Sequence, residues 1–163
     1  MYRQHSHCSF CGHPFLDGQR WPRICGHCGS TTYRNPLPVA LVLQPVDDGL
    51  LVIRRSAAPR QGQLALPGGF IEMHESWQQA AARELREEAG VTVRPETITD
   101  FGTRSTPDGY LLVFGLGPQL RAADLTPFRP NREAEARLTL TAPADLAFPL
   151  HTEMVHRFFT RRS

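Results

Sequence analysis

The chain has 163 residues, a formal net charge of +2 and 40% hydrophobic residues. That length buries one sizeable core but leaves no room for two full-sized domains. The near-balanced charge gives no argument for a protein that binds polyanions through its overall field. No apolar run reaches the ~18 residues of a membrane span, and the opening MYRQHSHC is polar rather than signal-like. A cytoplasmic protein with no membrane partner is therefore expected. All 18 basic residues are arginine, so no lysine is present as nucleophile or phosphate clamp.

The first motif in chain order is a pair of knuckles, Cys8-x-x-Cys11 and Cys25-x-x-Cys28, thirteen residues apart. This is ribbon spacing for a tetrahedral metal. Gly12 and Gly29 follow the knuckles and relieve the tight turn around each thiolate pair. A segment of about 30 residues buries too little apolar surface to fold unaided, so bound metal is expected to supply the folding energy. The rival arrangement, two disulfides, does not suit a chain kept reduced in the cytosol. Four thiolates on Zn2+ make a closed, structural site, which leaves His5, His7, His13 and His27 as surface residues. Residues 1–34 thus read as a small zinc ribbon. Arg3, Arg20, Arg23, Arg34 and Trp21 give it positive charge and one stacking surface. A few arginines on a small module are an ordinary solvated face, so nucleic-acid binding is not expected. A structural role or a dimer contact is, which keeps a homodimer open.

Residues 35–163 read as one α/β unit. Tyr33 to Pro38 is extended, because two prolines suppress helix. Val39–Leu43 and Leu50–Arg54 are β-rich runs joined by a hairpin signal, Val46-Asp47-Asp48-Gly49. Leu64–Leu66 is a short strand that ends at Pro67-Gly68-Gly69. Ser76 to Ala89 is one helix: Ser76 caps it, Gln79 completes a capping box, and Gly90 suits a left-handed end. Trp77, Ala81, Leu85 and Ala89 make its buried stripe, and Glu84, Glu87 and Glu88 crowd a different face. Like charges at that spacing cost a few tenths of a kcal/mol per pair. A divalent cation turns the cost into an attraction, and hard oxygen ligands suit Mg2+ or Mn2+. Ile98–Thr103 and Tyr110–Leu116 pair across Pro107-Asp108-Gly109. Leu120 to Arg132 is a loop at or under the site, Arg137–Thr141 a strand and Pro149 to Arg161 a helix.

Gly69, five residues, Glu75, seven residues and then Arg83-Glu84-Leu85-x-Glu87-Glu88-x-Gly90-Val91 fill every fixed position of the Nudix box, G-x5-E-x7-R-E-U-x-E-E-x-G-U. The chain therefore resembles a Nudix hydrolase. The resemblance implies a Nudix α/β/α sandwich with a mixed sheet and cleavage of a diphosphate linkage with Mg2+ or Mn2+. It implies that Glu84, Glu87, Glu88 and the backbone carbonyl of Gly68 hold the catalytic metal. Arg83 then steadies Glu87, while Glu72 and Glu75 bind metal-coordinated water or orient Arg83. One further carboxylate from beyond the box is implied as ligand or general base, Glu133 or Glu135. Glu135-Ala136-Arg137 is similar to the E-A-R-W strand of the family, with Leu138 in place of the aromatic, and this makes Glu135 the catalytic candidate.

The order of ribbon, extended N-P-x-P-V and box is similar to NADH pyrophosphatases and related FAD or ADP-ribose pyrophosphatases. The NADH enzymes carry an SQPWPFPxS array downstream of the box. This chain has Ser105-Thr106-Pro107-Asp108-Gly109, without the tryptophan. Pro107 falls sixteen positions after Val91, where ADP-ribose-preferring members carry proline. Pro107 and Asp108 are thus the substrate-binding candidates. The implied substrate is a nucleoside diphosphate linked to another moiety, of the ADP-ribose, FAD or dinucleotide type. A (d)NTP pyrophosphatase is the alternative. A catalytically silent module that binds RNA or protein is an alternative of another class, and the intact box argues against it.

Overall fold

The computed structural model describes residues 4–162. Arg3, the start of the expected ribbon segment and Ser163 lie outside the described residues. The chain divides into two compact units at Pro36 and Leu37.

In the first unit, β1 (Arg23–Ile24) and β2 (Thr31–Thr32) form an antiparallel pair. Each knuckle closes on a glycine: Gly12 N–H donates to Cys8 O at 3.0 Å and Gly29 N–H to Cys25 O at 2.9 Å. Both glycines are left-handed, at φ 74° and 71°, where a side chain would be strained.

The second unit runs β3 (Leu37–Val46), β4 (Gly49–Arg55), β5 (Leu64–Ala65), β6 (Gly68–Phe70), α1 (Trp77–Ala89), β7 (Thr99–Ser105), β8 (Tyr110–Leu116), β9 (Ala134–Leu140) and α2 (Pro149–Arg162). Its mixed sheet has the order β5-β4-β3-β8-β7, with β6 on β3 and β9 on β4. Among the strands of the described residues, β3 and β8 alone pair in parallel, and an isolated bridge from Val46 to Leu120 is also parallel. β3 forks along one edge: Val39–Leu41 pairs with β6, and Gln44–Val46 with β4. The fork lets Gly68–Phe70 join the sheet beside Val39–Leu41, ahead of the turn into α1.

Side chains of β3 alternate between the faces of the sheet. Ala40, Val42 and Val46 pack with Ala80, Ala81, Leu85 and Ala89 of α1. Leu41 and Leu43 pack with Phe101, Phe114 and, from α2, Met154, Val155 and Phe158. One helix covers each face, so the unit is the expected α/β/α sandwich. Burying a side chain such as Leu85 stabilises it by roughly 1.5–3 kcal/mol, and Leu85→Ala removes about 2–5 kcal/mol through the cavity left behind.

Three local features differ from the sequence reading. The buried face of α1 is wider than a four-residue stripe and includes Glu84 and Glu88. At about 100° per residue, Glu88 lies roughly 40° from the centre of the stripe and Glu84 about 80°, whereas Glu87 lies about 140° away. β9 starts three residues early, at Ala134, because Ala134 pairs with Arg55 and is buried in the core with the α1 alanines. The stretch 120–132 holds a single 3-10 turn, Ala122–Asp124. No described helix is long and apolar enough to cross a membrane.

Candidate active site

α1 is fixed at both ends. Ser76 Oγ accepts from Gln79 N–H at 3.2 Å and Ser76 N–H donates to Gln79 Oε1 at 2.7 Å, a complete capping box. Gly90 ends the helix at φ 66°. Arg83, on the first half of the helix, is fully engaged. Its Nε and Nη2 donate to the two oxygens of Glu75 at 2.8 and 3.0 Å. Nη1 reaches Glu84 at 2.7 Å and Glu87 at 3.4 Å, and Nη2 also donates to Phe70 O at 3.0 Å. The bidentate bond from Arg83 holds the Glu75 carboxyl below its usual range, and Glu72 N–H adds a further donor at 3.0 Å. Arg83 therefore ties the helix to β6 and to the approach loop.

Carboxylate oxygens of Glu84, Glu88 and Glu133 gather within 4.8 Å of one another. Burial is the main influence on two of them. It raises Glu84 despite the opposing Arg83 bond, and pushes Glu88 up to about 8 against a hydrogen bond from Gly68 N–H at 2.8 Å. Glycine is needed beside them. A Cβ on Gly69 would collide with the Glu84 carboxylate, and one on Gly68 with the backbone of Ala40 and Leu41.

Glu87 stands outside this cluster, exposed, between Arg83 and Arg86. Glu135 also lies outside it and faces Arg54 at 3.8 Å. Glu133 comes from 45 residues further along, and Asn131 brings it in. The Asn131 amide nitrogen donates to the carbonyls of Glu87 and Glu88 at 2.9 and 3.3 Å, while its oxygen accepts from Glu133 and Ala134 N–H at 2.9 and 2.8 Å. Sequence reading passed over Asn131. Its one local signal was an Asx turn, the side chain bonding backbone two residues on. Arg137 braces the same junction, donating to Ala89 O at 2.9 Å and Thr126 O at 2.7 Å.

A cleft of about 660 Å³ opens from Gly68 and Gly69. Leu41, Leu66 and Leu112 give it an apolar wall, and Ser105, Thr106, Pro107 and Asp108 border it. Phe70 and Tyr110 line it with rings 6.1 Å apart. Arg55, Phe148 and His151 also line it, and no short motif signals them because Arg55 ends β4 while Phe148 and His151 lie around the start of α2, far along the chain. His151 is a satisfied core histidine: its Nδ1 accepts from Leu66 N–H at 3.2 Å, and burial, helped by the Arg55 charge, lowers its pKa to about 3. It stays neutral.

The four cysteines of the first unit converge separately, with their sulfurs all within 4.8 Å. None is disulfide-bonded. Cys8 and Cys28 Sγ atoms are 3.7 Å apart, as are Cys11 and Cys25.

Comparison with known proteins gives the family. The chain is 37% identical over 95 residues to the NAD-capped RNA hydrolase NudC of Edwardsiella ictaluri (strain 93-146), across 58% of this chain and 37% of that protein. It thus spans little more than a third of the length of the curated relatives it matches. A NUDIX hydrolase from Nitrosomonas europaea aligns with a TM-score of 0.73 at 27% identity, covering 96% of this chain and 92% of that one. The NUDIX domain of Shewanella oneidensis NrtR, solved with ADP ribose, shares the fold with a TM-score of 0.60 at 18% identity, covering 80% and 91%. The NUDIX domain profile matches residues 35–160, the span that carries the filled box and the sandwich, and the chain belongs to the NUDIX domain family.

Proposed function

We propose that the chain hydrolyses the diphosphate bond of a nucleoside diphosphate linked to a second moiety, of the ADP-ribose, FAD or dinucleotide type, using Mg2+ or Mn2+. The observation that carries this reading is the gathering of Glu84, Glu88 and Glu133 where the cleft meets Gly68 and Gly69. The donor set fits a hard cation: metal–oxygen distances near 2.1 Å place ligand oxygens about 3–4 Å apart, within the observed spread. A cation also offsets the burial that opposes ionisation of Glu88. When bound, it neutralises diphosphate oxygens and acidifies a coordinated water. Glu84, Glu88 and Glu133 form the inner carboxylates, with Glu87 and the Gly68 carbonyl as outer ligands. Glu133 is the better placed of the two carboxylates beyond the box to take the proton from attacking water. Arg83 positions Glu84 through its bond to that side chain. The products are two phosphomonoesters.

Pro107 and Asp108 border the cleft and are taken to meet the moiety beyond the diphosphate. Asp108 offers hydrogen bonds to ribose hydroxyls where a tryptophan would offer a stack worth about 1–3 kcal/mol. ADP-ribose is therefore favoured over NADH. In the ribbon, Sγ–Sγ separations of 3.7 Å match the ~3.8 Å edge of a Zn–thiolate tetrahedron with ~2.3 Å bonds. Zn2+ is thus the metal we assign to Cys8, Cys11, Cys25 and Cys28, with a structural role.

The test is a screen of ADP-ribose, FAD, NADH, dNTPs and RNA capped with a nicotinamide dinucleotide, a polymer bearing the same diphosphate. We expect AMP from ADP-ribose only with divalent cation, and kcat reduced at least ~10²-fold in Glu88→Gln with the melting temperature kept. Pyrophosphate release from dNTPs alone would replace the proposed substrate class, and no turnover of any compound would sink the hydrolase reading.

A further inference from the structure

The chain must meet a doubly charged diphosphate without a single lysine. The arginines about the cleft and carboxylates are mostly committed elsewhere. Arg83 spends all three nitrogens on Glu75, Glu84, Glu87 and the Phe70 carbonyl. Arg54 donates to Gly62 O at 2.8 Å and faces Glu135. Arg137 is held by two backbone carbonyls. Arg55 differs. Its Nε donates to Pro59 O at 2.9 Å and its guanidinium carbon lies 5.4 Å from the Phe148 ring centre. Among the described residues, its two terminal nitrogens have no hydrogen-bond acceptor and no carboxylate pairs with it.

We propose that Arg55 is the cation that binds the substrate's diphosphate, gripping non-bridging phosphate oxygens through its terminal nitrogens beside the carboxylate cluster. The inference deepens the hydrolase reading above and rests on it. Arg55 lines the same cleft as Gly68 and Gly69, and its charge is felt by both Glu88 and His151. Anchoring at Nε and at the ring fixes the guanidinium plane and leaves a fork of donors whose geometry matches two phosphate oxygens. The backbone is set for this: the pairing of β4 with β9 shifts register between Arg54 and Arg55, the kind of irregularity that re-aims a side chain next to a site. The neighbouring His151 is neutral and tied to Leu66 N–H, so it neither competes for the anion nor supplies a second charge. The carboxylates alone repel a diphosphate; Arg55 brings positive charge to the wall of that cleft from the protein itself.

The experiment compares wild type, Arg55→Gln, Arg55→Lys and Arg121→Gln as full chains with Mn2+. Arg121, which is paired with Asp124 on the surface, is the control. KM and kcat are read on ADP-ribose, and the Kd of AMP by calorimetry, with melting curves for each protein. Loss of a charge-assisted pair of hydrogen bonds should raise KM and the AMP Kd at least ~10-fold in Arg55→Gln. Arg55→Lys should fall between, because it restores charge without the fork, and it carries the test if the Gln variant melts early. Arg121→Gln should match wild type. An AMP Kd within twofold of wild type in a folded Arg55→Gln overturns the assignment, as does an equal loss in Arg121→Gln. A wild type that binds AMP but turns over nothing overturns the hydrolase reading instead, while the AMP affinities still decide the role of Arg55.

Discussion

Two clusters in this molecule gather groups of the kind that ligate metals, and they are built in opposite ways. The four cysteines come from two four-residue knuckles, each a turn complete in itself. The three carboxylates come from one helix and a loop 45 residues beyond it. In the first unit, Cys8 and Cys25 are the only buried apolar residues among those described, and the other side-chain packing is partly exposed, as where Arg23 lies over the Phe15 and Trp21 rings. In the second unit, two faces of apolar packing hold the sheet and helices, and they bury Glu88 enough to oppose its ionisation. On the zinc assignment proposed above, one cluster supports its fold; the other is supported by its fold.

The sharpest way to break that comparison is to remove each metal. Native mass spectrometry should find one Zn2+ on four reduced thiols. Stripping it with a strong chelator should unfold the first unit, since structural zinc contributes on the order of 10–16 kcal/mol of apparent binding energy. Hydrogen exchange would then rise over residues 6–34 and stay low in β3, β8 and α1. Withdrawing Mg2+ or Mn2+ should stop hydrolysis and leave exchange in both units unchanged. A first unit that stays protected without metal would show that its fold does not depend on the thiol cluster.

A smaller effect separates the two acidic residues that lie beyond the box. Glu133→Gln should lower kcat by at least ~10², because its carboxylate lies with Glu84 and Glu88. Glu135→Gln removes a partly exposed group that faces Arg54 at 3.8 Å, a pairing worth at most about 1 kcal/mol, and should leave kcat within a few-fold. The opposite ranking, measured on ADP-ribose, would return the role to Glu135.

The same contrast explains what the sequence made legible. Cysteine spacing, the capping box of Ser76 and Gln79, and the Gly90 terminus are local chemistry, and the structure has each of them. The unbroken apolar run of Val39–Leu43 is what a strand covered on both faces requires. The split among the box glutamates was less visible, because a four-residue stripe underestimates how far α1 sinks when Ala80 and Ala82 flank it. The junction of Asn131, Glu133 and Arg137 with the end of α1 was not visible at all. It depends on where β9 meets β4, a pairing that no periodicity in 131–137 reveals. Arg55 was hidden for the same reason, since its partners Pro59 and Phe148 mean nothing until the sheet edge is built.

Asn131 gives the finest test of how the carboxylate cluster is supported. Its amide bridges the last turn of α1 to the backbone of Glu133 and Ala134 through four hydrogen bonds. Asn131→Ala should leave those groups seeking water and cost about 1–3 kcal/mol of stability. It should also raise the Mn2+ Kd by roughly 10-fold, the lower range for a group that orients a ligand. A merely structural residue would lower the melting temperature and leave metal affinity and kcat intact. The decisive measurement is a cycle with Glu133→Gln. If Asn131 acts by holding Glu133 in place, removing it from a protein that already lacks that carboxylate should change kcat little further, because contacting residues with one shared task are not additive. Full additivity of the two losses would mean that Asn131 serves the helix end and not the carboxylate.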